Sequence, residues 1–269
     1  MRFRRNRNPE RAQRIEGRLD QIRERIERAC QRGGRSPTSV TLVAVTKGVP
    51  PELIAEAVAL GVTDVGENRV QEAATKRQEI DTWLRARGSG LGAVALSSQP
   101  RAQSAFQIRW HLIGHLQRNK AARAVELFEM IHSVDSMALV DELERQAAQR
   151  GRNLKVLVQV NVSGETTKNG CPPGQAETLA GAVRQTAHLS LAGLMTLAPF
   201  GTDPQQARPH FAHLRRLRDE AASALSLAPS ALSLSMGMSQ DFEVAIEEGA
   251  DMVRIGTALF GAQSSAVTG

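Results

Sequence analysis

The sequence predicts an α/β fold, a (β/α)8 TIM barrel with an extra N-terminal helix, on three observations. Eight short apolar runs rich in β-branched residues recur along the chain, beginning near Val40, Thr63, Trp110, Met130, Leu154, Leu191, Leu232 and Met252. Each is followed by a helical pattern or, after the last, by a terminal turn, the alternation of a parallel sheet covered on both faces. The 269 residues, 41% of them hydrophobic, suit one barrel of about 250 residues with no second domain. A doubly wound open sheet is the alternative, and a count of eight strands favours closure.

In order, residues 1–8 form a basic arm, expected to be disordered. Its arginines resemble an organelle-targeting peptide, but serines are lacking and Glu10, Glu16 and Asp20 follow too soon. A helix is expected over 9–32, where Ile15, Leu19, Ile22, Ile26 and Ala29 make one apolar stripe before Gly33 and Gly34 stop it. Residues 40–45 (Val-Thr-Leu-Val-Ala-Val) are the first strand, with Lys47 just past its end. A helix over 51–60 ends at Gly61, a short strand covers 63–65, and the next helix runs to about residue 84. Residues 85–104, rich in Gly, Ala, Ser and Arg, are expected to be a flexible insert in the surface.

The strand opening at Arg109 turns into a helix, and 130–134 is a strand whose following Asp135 and Ser136 are expected to cap the helix that ends at Gly151. Strand 154–162 leads through a polar loop to a helix start at Pro172 and Pro173. Strand 189–197, helix 203–225, strand 231–235, helix 239–248 and strand 251–255 complete the pattern. The single barrel domain is expected over 9–261, with 262–269 as a tail.

The net charge of +6 and pI near 10.1 imply an anionic partner, although much of the excess lies in the first 35 residues. Aromatics are only 3% and tyrosine is absent, so the stacking platforms of a single-strand nucleic-acid binder are lacking, and no specific nucleic-acid partner is expected. No apolar run approaches the roughly 20 residues of a membrane span. Two distant cysteines, Cys30 and Cys171, suggest a reducing, cytoplasmic setting rather than a metal or disulfide framework. A monomer or weak dimer is expected.

A barrel collects its strand ends at one mouth. There the sequence places Lys47; Glu67 and Asn68; His111 and His115; Asn161; Met195; Ser235, Gly237 and Ser239; and Arg254, Gly256 and Thr257. A lysine beside an apolar wall can act as a nucleophilic amine in a Schiff base. The Ser235-Met-Gly-Met-Ser239 run, read as leading straight into a helix, and Arg254-Ile-Gly-Thr257 offer small residues with free N–H groups, suited to an anion after strands 7 and 8. The same residues also serve as plain caps and turns. A phosphate clamp opposite a lone lysine describes pyridoxal 5′-phosphate.

Thr46-Lys47, Gly66-Glu-Asn68, His111-Leu-Ile-Gly-His-Leu-Gln-Arg-Asn-Lys120, Val160-Asn161, Gly193-Leu-Met195, Ser235-Met-Gly-Met-Ser239 and Val253-Arg-Ile-Gly256 together resemble the pyridoxal phosphate homeostasis protein family. The likeness extends from the N-terminal helix to Phe260-Gly261. It implies a single-domain barrel of the alanine-racemase type that binds pyridoxal 5′-phosphate, buffering it and delivering it transiently to apo-enzymes in vitamin B6 homeostasis. By the same resemblance, Lys47 forms the internal aldimine; Ser235, Gly237, Ser239, Gly256 and Thr257 hold the phosphate; Asn68 lines the ring; and Arg254 faces the pyridine nitrogen. An arginine there keeps that nitrogen unprotonated and weakens the ring as an electron sink. Arg69 stands where the family commonly has an aromatic residue.

A racemase or decarboxylase is the alternative reading. Racemases of this fold type use a tyrosine from an additional β-domain as second base. The chain has no tyrosine and no stretch that reads as such a domain, so a non-catalytic carrier is expected. His111 and His115 are read as structural donors rather than catalytic groups.

Overall fold

Eight parallel strands close into a barrel in strict chain order, the last pairing back onto the first. They are β1 (Thr41–Val45), β2 (Asp64–Glu67), β3 (Arg109–Leu112), β4 (Met130–Val134), β5 (Leu154–Gln159), β6 (Leu189–Met195), β7 (Ser233–Met238) and β8 (Met252–Ile255). This computed structural model describes residues 9–88 and 108–262. The strands alternate with α2 (Pro51–Ala59), α3 (Val70–Gly88), α4 (Ala121–Leu127), α5 (Met137–Arg150), α6 (Ala176–Gln185), α7 (Arg208–Ala224) and α8 (Phe242–Glu247), after α1 (Pro9–Arg32) and before the short α9 (Thr257–Phe260). The expected barrel with its extra N-terminal helix is what the chain forms.

Two apolar regions hold it together. The larger lies between the sheet and the helices, and the smaller, Val43, Leu157, Met195 and Met252, fills part of the lumen. Side chains alternate along each strand. On β8, Met252 belongs to the lumen, whereas Val253 and Ile255 pack outward under the helices. Arg254 shares the inward parity and is buried.

The stripe on α1 is buried as its spacing predicts, and α1 packs on α8 and α9. Its charge has a local account. Arg25 pairs with Glu243 at 2.9 Å, Arg32 with Glu247 at 2.6 Å, and Arg35, just beyond the helix, with Asp251 at 2.7 Å. Such partly exposed pairs are worth little individually, but they spend part of the N-terminal excess within the fold.

Element boundaries depart from expectation in several places. Strand β1 starts one residue late because Pro37–Ser39 form a 3-10 turn whose Pro37 carbonyl accepts the Val40 N–H. Strand β2 runs on to Glu67, which pairs with Leu112 of β3. Helix α3 extends to Gly88, so the first four residues of the expected 85–104 insert are helical; the rest of it, the 1–8 arm and the tail from residue 263 lie outside the described residues. Ser136 occupies the N-cap of α5, but its hydroxyl makes no cap bond; its carbonyl accepts from Leu139 and Val140 instead. Strand β7 reaches Met238, and α8 starts only at Phe242, so the Ser-Met-Gly-Met-Ser run is mostly strand and does not open a helix.

Candidate site at the carboxyl ends of the strands

Lys47 sits in the turn directly after β1, its side chain exposed and, among the described residues, without a hydrogen bond or ion pair. The backbone that carries it is held from behind. Lys76, buried on α3, donates to the Thr46 carbonyl, to Glu67 Oε1 at 2.8 Å and to Glu72 Oε1 at 2.6 Å. Glu72 Oε1 also accepts the Gly48 N–H at 2.9 Å, and the Thr46 hydroxyl donates to Glu67 Oε1 at 2.5 Å. The peptide groups on both sides of Lys47 are thus fastened by one cluster. Glu67 is fully buried, and its Oε2 has no hydrogen-bond partner among the described residues. Burial pushes its pKa up, and Lys76 and Thr46 pull it part of the way back.

Asn68 follows β2, half-buried. Gly114 lies against it so closely that a Cβ there would come within 2.3 Å of the Asn68 carbonyl oxygen. The glycine in the His-Leu-Ile-Gly-His run is therefore a close-approach position that lets the turn after β3 seat the Asn68 backbone.

Across the mouth, Ser239, Arg254, Gly256 and Thr257 line one cavity of about 310 Å³, with Asp241 and Val45 also in its wall. The Ser239 hydroxyl accepts weakly from the N–H groups of Gly256 and Ala258, both at 3.3 Å. A Cβ on Gly256 would come within 3.3 Å of Val45, two residues before Lys47. The β1–β8 pairing (Val43 with Arg254, Ala44 with Ile255) brings the lysine turn beside this cavity. Phe200, 83% exposed, stands at its rim. A second hollow of about 470 Å³, between Arg118 and α5, lies outside the barrel; in its wall Arg145 pairs with Glu142 at 2.7 Å, and none of the strand-end residues line it.

Ser235 and Gly237 lie deeper than the sequence suggests. Ser235 is 0% exposed, inside the lumen, and its hydroxyl bonds Arg254 Nη1 at 2.6 Å and His132 Nδ1 at 2.9 Å. It therefore holds Arg254 rather than lining the cavity with Ser239. Gly237, at φ +90°, packs under α8. Arg254 also donates to the Thr196 carbonyl at 2.7 Å. Burial pulls its pKa down to about 10 against the pull of Asp241, which leaves it a cation at neutral pH.

His111 is buried in the lumen, bonded to Asp64 and His132, whereas His115 is a surface residue 3.4 Å from Asp135. Asn161 builds the loop beyond β5, donating to the carbonyls of Glu165 (2.8 Å) and Lys168 (3.3 Å). Met195 is lumen core. The sequence reading missed Lys76, Asp64, His132 and Asp241. His132 carried a signal: it sits at the midpoint of an apolar strand, where a polar side chain needs a buried partner.

The chain matches the family described as alanine racemase, N-terminal domain, over residues 18–264. It is 39% identical to a pyridoxal phosphate homeostasis protein of Aquifex aeolicus, over 91% of this chain and 96% of that one. A protein of the same description from Pseudomonas aeruginosa is 38% identical over 91% and 94% of the two chains. Among solved structures, PipY of Synechococcus elongatus with PLP bound superposes with a TM-score of 0.69 at 35% identity, covering 92% of this chain and 100% of PipY.

Proposed function

The chain belongs to the pyridoxal phosphate homeostasis proteins, within the alanine racemase N-terminal domain family, and from that premise we propose that it holds pyridoxal 5′-phosphate at the β1, β7 and β8 strand ends, buffers it and passes it to apo-enzymes. When bound, that cofactor brings an aldehyde that condenses with a primary amine, a phosphate and a pyridine nitrogen. The residues present fit each part. Lys47 offers an accessible amine on a turn fixed by Lys76 and Glu72. Ser239 and the N–H groups of Gly256 and Ala258 form a small anion cup, with Thr257 exposed beside it. Asn68 stands on the neighbouring strand end to line the ring.

Arg254 carries the reading. It is 2% exposed, forms part of the cavity wall and can only donate hydrogen bonds. Toward a pyridine nitrogen it supplies a hydrogen bond while leaving the ring unprotonated, the opposite of the acidic partner that carbanion chemistry requires. The chain also has no tyrosine to serve as a second base. Holding and release, rather than turnover of amino acids, is the chemistry these groups support. Among the described residues no helix is long and apolar enough to cross a membrane, and we place the protein in the cytoplasm with its two free cysteines buried.

The test is a visible absorption spectrum of the purified protein mixed with pyridoxal 5′-phosphate, then borohydride reduction and peptide mass mapping. The expected result is a bound-cofactor band and a phosphopyridoxyl group on Lys47, both lost in Lys47→Ala. A protein that stays colourless would overturn the reading, and amino-acid racemisation or decarboxylation by the loaded sample would replace the carrier with an enzyme.

A further inference from the structure

An unbroken line of hydrogen bonds crosses the lumen beneath the cavity. From Arg254 Nη1 to Ser235 Oγ is 2.6 Å, from Ser235 Oγ to His132 Nδ1 2.9 Å, from His132 Nε2 to His111 Nδ1 2.9 Å, and from His111 Nε2 to Asp64 Oδ1 2.9 Å. Arg109 closes the far end, gripping both Asp64 oxygens at 2.7 and 2.5 Å. The five groups from Arg254 to Asp64 come one each from β8, β7, β4, β3 and β2, and Arg109 is a second group from β3.

We infer that His132 and His111 are positioning residues that, with Ser235 and Asp64, hold the Arg254 guanidinium in the cavity wall through a hydrogen-bond chain of fixed direction. The direction follows from its ends. A guanidinium has no acceptor, and an ionised carboxylate has no donor. Arg254 must donate to Ser235, whose hydroxyl then donates to His132 Nδ1. The His132 Nε2–H is left to donate to His111 Nδ1, and the His111 Nε2–H to Asp64. Every proton has an acceptor, and both imidazoles are neutral Nε2–H tautomers.

The other arrangement fills the line less well. With His111 protonated, His132 must carry its proton on Nδ1 and donate to Ser235. Ser235 then accepts from both sides, and its own hydrogen has no acceptor among the described residues. Full burial also works against charge on His132 and lowers its pKa, and the nearby Arg254 cation acts in the same direction. Asp64 stays ionised although burial opposes it, because His111, Arg109 and Thr63 all donate to it.

A long arginine side chain loses much of its rotamer freedom when fixed. The chain of bonds meets that cost inside the fold, so the donor is already in place before any ligand arrives. Its role toward the pyridine nitrogen rests on the cofactor reading above; the geometry of the chain does not.

The test has two parts. In long-range ¹H–¹⁵N spectra of the cofactor-free protein, the signals lost in His132→Gln and in His111→Gln identify the two rings, and both are expected as neutral Nε2–H tautomers. An Nδ1–H tautomer or a charged ring at His132 at neutral pH would overturn the chain. In the second part, folded His132→Phe is expected to bind pyridoxal 5′-phosphate about tenfold more weakly, the equivalent of one lost hydrogen bond, while still accepting it on Lys47. His132→Gln, which keeps an acceptor for Ser235, is expected to recover most of the affinity. Unchanged affinity in folded His132→Phe would overturn the positioning role. A wild-type protein that takes up no cofactor would sink the functional reading alone, since the tautomers still decide the chain; they also decide it if His132→Phe does not fold.

Discussion

The Lys76 ammonium donates to the backbone carbonyl of Thr46, the residue before Lys47. It also neutralises Glu67, a carboxylate with 0% exposure. Removing the cation leaves that charge buried with, among the described residues, the Thr46 hydroxyl alone to answer it. Lys76→Met is therefore expected to cost about 3–5 kcal/mol and to lower the thermal midpoint by roughly 10 °C for a chain of this size. Adding Glu67→Gln should restore most of the loss, because the pair is removed together. Calorimetry of the two variants checks this, and equal midpoints for Lys76→Met and wild type would refute the role of Lys76.

Gly237 is expected to tolerate no side chain. A Cβ there would sit 2.5 Å from the Ala245 Cβ and 2.9 Å from the Phe242 Cα, at a backbone φ of +90°. Strain and crowding together should make Gly237→Ala about 2–4 kcal/mol less stable. The midpoint of urea unfolding measures it. The change should also weaken cofactor uptake, since α8 and the Ser239 turn must shift.

Asp64 sets part of the acid response. Its folded pKa lies well below the usual carboxylate range, because the donors around it outweigh burial. A depressed carboxylate contributes stability that is present above its unfolded pKa, near 3.9, and is lost as pH falls through the folded value. The stability gap between wild type and Asp64→Asn should therefore be constant near neutrality and shrink below about pH 4. A gap that widens as acid is added would contradict the assignment.

Both cysteines should be inert in the native state. Burial pushes the Cys30 thiol up, with Arg35 opposing it, and burial with Asp135 pushes Cys171 up to about 11. Thiolate is the reactive form, so iodoacetamide at pH 8 should label neither until denaturant is added. Intact mass before and after unfolding reads the outcome.

The eight strands were legible because buried parallel strands are short, apolar and β-branched, and each was punctuated by Gly, Pro or a cap. The strand-end rule then led from Lys47 to Arg254 and Thr257. Ser235 was harder. Met236-Gly-Met does not look like strand, so β7 was expected to stop at residue 235, and a three-residue error moved Ser235 from the lumen to the mouth. Lys76 was invisible for another reason. Glu72 and Lys76 at i and i+4 on a polar helix read as a solvated pair, and only the packing of α3 against the β1 turn buries the ammonium. His132 could have been flagged as buried from its place in an apolar strand, but its partners, like the role of Asp64, required knowing which face of each strand turns inward, and in strands covered on both sides the hydrophobic pattern does not reveal that.

The pairing of β1 with β8 also bears on how the protein is made. Lys47 directly follows the barrel strand made first, β1, whereas Arg254 lies on the barrel strand made last, β8, and Gly256 and Thr257 follow it. A growing chain presents its lysine long before the cup and the guanidinium exist, and contacts so distant in sequence are slow to form. The site is thus assembled only when the barrel closes, and a stalled or truncated product lacking β8 has the amine without the grip.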